Sequence, residues 1–192
     1  HPTATHNSTA ETDPARLAKL AGRRAMAVAL DRKAVISILF GGQGDVGGTR
    51  LPGPQGLWAM PKEMLEAFPG YGPDINANRE EAKKLMQKAG YGPDKRLKMK
   101  VSTRNVASYR DYAVILIDQL KHIYIDGELE MIDSAVYFNR LYQKSYTLTL
   151  NATGSSLDDP DQHFIENYGC GSLRNFNGYC NADLTALMAA QS

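Results

Sequence analysis

An alternation of short apolar strands with amphipathic helices, over residues 97–150, constrains the fold of this chain most strongly. Three segments place apolar side chains at every second position, as half-buried strands do: Leu97–Val101, Glu128–Met131 and Tyr146–Leu150. Single segments with helical spacing, 108–123 and 133–142, separate them. Strands joined in this way become parallel neighbours through right-handed crossovers. The sequence therefore predicts an α/β fold, a βαβαβ sheet flanked by helices.

The remainder of the chain divides around this series. Residues 1–12 are polar and aperiodic and are expected to form a loose N-terminal segment, while residues 13–192 are expected to form one α/β lobe. The parts of that lobe are helices and a Gly/Pro loop at 13–90, the βαβαβ core at 97–151, and a ligand-facing loop with the C-terminal segment at 151–192. At 192 residues, such a single lobe is the expected size.

Capping signals set the expected helix starts. Asp13 with Pro14 and Asp31 each begin a helix in the N-terminal part, and Asn78 with Glu81 resembles a capping box. Ser108 and Asp133 are expected to cap the two helices of the core.

The apolar positions assigned to buried helix faces are Leu17, Leu20, Ala21, Ala25, Val28, Ala29, Val35, Ile36, Leu39, Phe40, Tyr112, Ile115, Leu116, Leu120, Ile123, Tyr137, Phe138, Leu141 and Tyr142. Tyr-Gly-Pro-Asp, at 71–74 and again at 91–94, predicts two similar turns.

Composition excludes several classes of partner. The formal net charge is +1, from 22 basic and 21 acidic residues, which gives no electrostatic reason to expect nucleic acid or an anionic membrane. The sequence has no 18-residue apolar run, so no membrane span is expected. The N-terminus lacks the apolar stretch of a signal peptide. We expect either a cytosolic protein or a piece of a longer one.

Polar residues follow two of the predicted strands at the same end. Arg104 and Asn105 come after the first strand, and the loop Gly154–Asp158 comes after the third. The carboxyl ends of parallel strands share one edge of a sheet, where ligands bind in open α/β folds. The sequence therefore predicts a ligand site to which Arg104, Asn105, Gly154, Ser155 and Asp158 contribute.

The acidic cluster Asp158, Asp159, Asp161 and His163 supports three interpretations. The first is a metal site, but the cluster lacks the glycine and glutamate that an EF-hand calcium loop needs at fixed offsets. Asp161 could instead cap the helix that follows it. In the third interpretation, one carboxylate meets a cationic group of a ligand. No catalytic residues, metal ligands or cofactor are predicted, because the sequence carries neither a nucleophile elbow nor a phosphate loop.

Trp58 and the two cysteines each leave two alternatives open. Trp58, beside a Gly/Pro loop, either covers the core or forms an aromatic wall for a ligand. Cys170 and Cys180, ten residues apart, form a disulfide in an oxidising compartment or remain two free thiols.

Three segments in order resemble family 5 of the extracellular solute-binding proteins, which are the dipeptide, oligopeptide and nickel binders of ABC importers. Arg23–Arg32 is similar to that family's "arginine-arginine-alanine … aspartate-arginine" helix. Asn76–Tyr91 is similar to its "alanine-lysine-leucine-leucine … alanine-glycine-tyrosine" segment. Asp158–Asp161, Asn175 and Gly178–Asn181 resemble its late aspartate-proline and "glycine-tyrosine-x-asparagine" motifs.

The resemblance implies a type II periplasmic-binding-protein fold of two lobes that close on a ligand, this chain being most of the second lobe. It implies a periplasmic location, no enzymatic activity, the missing first lobe and a transporter permease as partners, and a bridged Cys170–Cys180 pair. Asp158 would meet the ligand's cation, although Asp159 is also possible, and Arg104 would meet a carboxylate or a polar group of the ligand. Ser155 and Ser156 replace an aromatic residue that is common in the family, which suggests a smaller or more polar contact, for example with a sugar or a modified peptide. The alternatives are a cytosolic α/β enzyme domain that uses Asp158–His163, and a sensory protein on the same fold.

Overall fold

The computed structural model describes residues 14–47, 58–152 and 159–191, with the side chains of 14–18 and 191 excepted. Predictions for the loose N-terminal segment, Asp13 and Leu17 lie outside the described residues. Eight helices and three strands follow one another in the described part: α1 Pro14–Ala29, α2 Arg32–Phe40, α3 Lys62–Glu66, α4 Ile75–Lys88, β1 Leu97–Arg104, α5 Ala107–Lys121, β2 Ile125–Ile132, α6 Ser134–Tyr142, β3 Leu148–Thr149, α7 Pro160–Tyr168 and α8 Ala182–Gln191.

The three strands form one parallel sheet in the order β2-β1-β3. β1 pairs with β2 along its whole length, from Leu97 opposite Ile125 to Arg104 opposite Ile132. The predicted α/β fold with a parallel sheet is therefore confirmed. The strand bounds differ from the prediction, because β1 and β2 are longer and β3 is only 2 residues long.

The two crossover helices cover opposite faces of this sheet. From β1 the chain crosses to β2 on one side, and from β2 it crosses back past β1 to β3 on the other side. Because the two connections run in opposite directions across the sheet, both can be right-handed only if their helices lie on opposite faces. Ile125 packs in the larger core with Leu120 and Ile123 of the α5 side. Ile132, seven positions along β2 and hence on the other face, packs with Tyr137 and Leu141 of α6.

The larger core continues into the N-terminal helices. Ala25, Val28 and Ala29 of α1 are buried as predicted, and they pack against Ala82 and Met86 of α4. Leu20 is an exception, because it is 50% exposed although its spacing placed it on the same face.

Two of the expected helix caps are confirmed and two are wrong. Asp31 and Asp133 accept backbone N–H bonds at the starts of α2 and α6. The predicted cap at Asn78 is displaced by Asp74, whose carboxylate accepts bonds from the two following free N–H groups. α5 begins after Val106 without a side-chain cap, so Ser108 lies inside the helix.

Several predicted core positions face solvent instead. α2 contains no buried residue, and Phe40 is 50% exposed. On α6, Tyr137 and Leu141 are buried, whereas Phe138 and Tyr142 are 38% and 43% exposed. Spacing identifies the apolar face of a helix but not how much of that face another element covers.

Candidate functional site

The carboxyl edge of the sheet brings together the ends of all three strands. Arg104 ends β1 opposite Ile132 of β2, and the backbone N–H of Asn105 donates to the Ile132 carbonyl at 2.8 Å. On the other side, the N–H of Leu150 donates to the Ser102 carbonyl at 3.0 Å. The residues that follow β1 and β3 therefore start from the same edge.

Arg104 makes both polar and aromatic contacts at this edge. Its side chain is half-buried and lies on the α6 face of the sheet. Its Nε and Nη2 atoms donate to the Ser134 hydroxyl at 3.4 Å and 3.3 Å. The guanidinium carbon lies 5.1 Å from the ring centre of Tyr109 and 5.3 Å from that of Phe138. Within the described part of the chain, no carboxylate forms an ion pair with it.

The other predicted site residues have different positions. Asn105 is exposed directly beside Arg104. Trp58 is 52% exposed, and its two alternatives, a cover over the core or a wall for a ligand, both stay predictions. Gly154, Ser155 and Asp158 lie outside the described residues. Their convergence with Arg104 stays a prediction.

A hydrogen-bond network fixes β3 at this edge. The buried Tyr137 hydroxyl donates to the Leu150 carbonyl at 2.7 Å and lies 3.2 Å from the Thr149 hydroxyl. Burial raises the pKa of Tyr137 above its usual range, so the phenol remains neutral and able to donate. The strand end from which the predicted ligand loop departs is therefore anchored to α6.

A second polar cluster lies on the same face. The buried Ser102 hydroxyl donates to Glu130 at 2.6 Å, and Arg140 donates to the same carboxylate at 3.2 Å. The bond from Ser102, together with Arg140, holds the pKa of Glu130 below its usual range. Glu130 forms ion pairs with Arg140 at 3.2 Å and with Lys100 at 3.6 Å, and it forms none with Arg104.

An apolar cavity opens on the opposite face of the edge. It has a volume of about 500 Å³ and lies between α2, α5 and the residue that follows β3. Its walls include Val35, Ile36, Phe40, Tyr112 and Leu150.

The segment after the predicted loop is held by a helix cap and a disulfide. Asp159, not Asp161, caps α7, since its carboxylate accepts the Asp161 N–H at 2.8 Å. Proline at the first helical position leaves fewer free donors for a second cap. Cys170 and Cys180 form a disulfide with a Cα–Cα distance of 4.7 Å, which confirms that prediction.

Neither a metal centre nor a membrane helix is found in the described ranges. No group of three or more His, Cys, Asp or Glu side chains there is arranged to hold a metal ion. His163, which belongs to the acidic cluster, is buried and 5% exposed. No helix within those ranges is long and apolar enough to cross a membrane.

The residues around Arg104 were missed at the sequence level. Tyr109, Ser134 and Phe138 carry no motif, and Phe138 was assigned to the core. Ser134 and Phe138 have the four-residue spacing of one helix face. Placing that face beside Arg104 requires the β1–β2 register, which a single sequence does not contain.

A family model described as bacterial extracellular solute-binding proteins, family 5 Middle, matches residues 3–175. The chain is 24% identical over 181 residues to the oligopeptide-binding protein AppA of Bacillus subtilis (strain 168). That alignment covers 86% of this chain and 32% of AppA.

Two solved structures share the fold. The murein tripeptide binding protein MppA of Escherichia coli superposes with a TM-score of 0.77 at 17% identity, over 94% of this chain and 34% of MppA. OppA of Burkholderia pseudomallei gives 0.74 at 21% identity, over 93% of this chain and 34% of OppA. The chain thus spans about a third of the length of these relatives.

Proposed function

The chain belongs to the bacterial extracellular solute-binding proteins of family 5, and we propose that it binds a peptide or peptide-like solute for an ABC importer. The family match over residues 3–175 is the observation that carries this proposal. AppA is named for oligopeptide binding and MppA for murein-tripeptide binding, which supports the same class of ligand. In this role the protein binds and releases its solute unchanged and is not an enzyme.

The chain supplies one lobe of a two-lobed clamp in this proposal. The relatives extend well beyond the third of their length that this chain matches, which leaves room in each of them for the other lobe. The partners are the solute, that first lobe and the permease. A periplasmic location is supported by the family's extracellular description and by the Cys170–Cys180 disulfide, which requires an oxidising compartment.

The carboxyl edge is the proposed ligand site. Arg104 is directed towards a carboxylate of the solute, since guanidinium groups bind carboxylates through charge-assisted hydrogen bonds. A ligand cation is assigned to Asp158. The full set of proposed contacts remains the predicted one: Trp58, Arg104, Asn105, Gly154, Ser155 and Asp158.

A thermal-shift screen of the intact protein tests the ligand class. The ligands are unmodified tri- to pentapeptides, with sugars, opines and nickel complexes as competing classes. A peptide at a hundredfold excess over its Kd is expected to stabilise the protein by about 2.7 kcal/mol. Stabilisation by one of the other classes, and by no peptide, would contradict the peptide assignment.

Binding by the 192-residue chain alone tests the clamp. For a solute with a Kd of about 1 µM, the binding free energy is about −8.2 kcal/mol. If each lobe supplies half, this chain alone binds the same solute at about 1 mM. Calorimetry is therefore expected to detect no micromolar binding. A micromolar Kd for the isolated chain would rule out the shared clamp, whichever peptide is bound.

A further inference from the structure

We infer that Ser134 and Phe138, on the first two turns of α6, fix the direction of the Arg104 guanidinium and thereby set a preference for solutes with a free carboxylate. The inference rests on the proposed function, because it assigns positioning residues to the proposed ligand site. Neither residue is required to touch the solute.

Ser134 orients the plane of the guanidinium. Its hydroxyl accepts from Nε and Nη2 of Arg104, at 3.4 Å and 3.3 Å, so both bonds come from one side of the fork. An arginine side chain has five N–H donors, and this arrangement leaves both donors of Nη1 and one donor of Nη2 to another acceptor. A single hydroxyl thus determines which edge of Arg104 remains for an anion.

Two aromatic rings, one from each crossover helix, lie against the same group. Tyr109 of α5 and Phe138 of α6 lie 5.1 Å and 5.3 Å from the guanidinium carbon, within the range of cation–π attraction. A free arginine side chain loses up to about 2 kcal/mol of rotamer entropy when it is immobilised. Where the rings have already ordered the side chain, a ligand pays less of this cost.

The charge of Arg104 is left without a carboxylate among the described residues. On the same face of the sheet, Glu130 pairs with Arg140 at 3.2 Å and with Lys100 at 3.6 Å, and not with Arg104. A half-buried, oriented guanidinium without an acidic neighbour favours binding of an external carboxylate, which it can hold with two parallel hydrogen bonds.

The backbone places Ser134 beside Arg104 independently of its hydroxyl. Arg104 lies opposite Ile132, and α6 begins two residues after Ile132. The cap of α6 comes from Asp133, whose carboxylate accepts the Ala135 N–H at 2.8 Å. Alanine at position 134 is a good helix former and leaves that cap in place. The variant Ser134→Ala therefore removes the contact with Arg104 without removing the helix start.

The test compares peptides with their own C-terminal amides on the intact protein. Calorimetry measures the Kd of unmodified tri- to pentapeptides and of the same peptides as C-terminal amides. For the unaltered protein, the amides are expected to bind about 10- to 150-fold more weakly. Arg104→Gln is expected to bring that ratio close to one. Ser134→Ala and Phe138→Leu are expected to reduce it by about 2- to 10-fold.

The affinity for the amides separates positioning from general damage. It is expected to be unchanged in Ser134→Ala and Phe138→Leu, because neither residue is required to touch the solute and an amide gains little from the direction of the guanidinium. Ser134→Thr, which keeps the hydroxyl, and Phe138→Tyr, which keeps the ring, are expected to retain the ratio. Ser108→Ala is the matched control, since Ser108 is an exposed serine in the first turn of α5.

The outcomes distinguish this inference from the proposed function. A ratio that Arg104→Gln abolishes but that Ser134→Ala and Phe138→Leu leave intact would overturn the positioning role. Peptides that bind equally well as acids and amides would overturn the carboxylate preference and leave peptide binding in place. If no peptide binds, the peptide assignment fails and the inference fails with it.

Discussion

Replacing Cys170 and Cys180 together by serine is expected to lower the free energy of unfolding by about 3 kcal/mol. The disulfide joins residues that are 10 positions apart. In the chain-entropy account, a closed loop of this length removes conformational freedom from the unfolded chain and contributes about that amount. Urea unfolding of the intact, oxidised protein and of the double variant measures the difference.

The folded loop inside this bridge explains why its loss matters locally. Asn175 is 3% exposed, and its amide donates to the carbonyls of Gly169 and Tyr179 across the loop. The Phe176 carbonyl accepts the Tyr146 hydroxyl, which connects the loop to the segment before β3. The bridge therefore stabilises a segment whose Phe176 packs against the smaller core of Ile132, Tyr137 and Leu141.

A reducing agent supplies the control for this variant. Dithiothreitol is expected to lower the stability of the unaltered protein to that of the double serine variant, and to leave the variant unchanged. Equal stability of the oxidised protein and the double variant would show that the bridge contributes nothing measurable.

The βαβαβ core was predictable because its signals are local. Period-two apolar patterns, helical spacing and the caps Asp31 and Asp133 are all contained in a few adjacent residues. The strand ends were less predictable. β1 continues three residues beyond Val101, because β2 offers partners as far as Ile132. Pairing of this kind depends on the neighbouring strand and not on the residues themselves.

Predictions of helix caps were wrong where two local signals competed, and predictions of buried positions were wrong where burial depended on distant contacts. Asp74 and Asn78 both precede helical sequence, and Asp74 is the actual cap because its carboxylate reaches two free N–H groups. Phe138 follows the apolar spacing of α6 but lies beside the Arg104 guanidinium instead of inside the core. A cation from another element determines the environment of that ring, and helical periodicity carries no information about it.

Part of the candidate site was predictable as well, because the ends of the strands could be located from local patterns. Arg104 and Asn105 were expected at the carboxyl edge, because parallel strands align their ends, and both lie there. The surroundings that orient Arg104 depend on the β1–β2 register and on the start of α6. Asp158, which the family resemblance favours as a ligand contact, remains a prediction.

Replacing Gly70 by alanine is expected to destabilise the protein by about 2–5 kcal/mol. Gly70 has a φ of +84°, and a Cβ atom there would lie 2.8 Å from the Ala27 carbonyl oxygen and 2.8 Å from the Val28 Cα atom. The left-handed backbone costs an alanine about 1–2 kcal/mol. The clash adds about 1–3 kcal/mol, because it is with helix backbone that cannot rotate away.

The turn at Gly70 is held by further contacts within the described part of the chain. The Gly70 carbonyl accepts from Arg32 at 2.9 Å, and the Arg32 guanidinium lies 4.0 Å from the ring centre of Tyr71. Arg32 and Tyr71 also line the apolar cavity beside the carboxyl edge of the sheet. A Cβ at position 70 would push this turn away from α1, which forms part of the larger core.

The sequence contains its own matched control, because Gly70 and Gly90 begin identical pentapeptides, Gly-Tyr-Gly-Pro-Asp. Gly90 has nearly the same backbone, with a φ of +86°, but a Cβ there would meet nothing within 4 Å. Gly90→Ala is therefore expected to cost only the backbone strain, about 1–2 kcal/mol. Urea unfolding measures the loss of stability in both variants. The difference between the two losses is the contribution of the clash. Equal destabilisation would contradict the close packing of the first turn on α1 and would leave backbone strain as the whole effect.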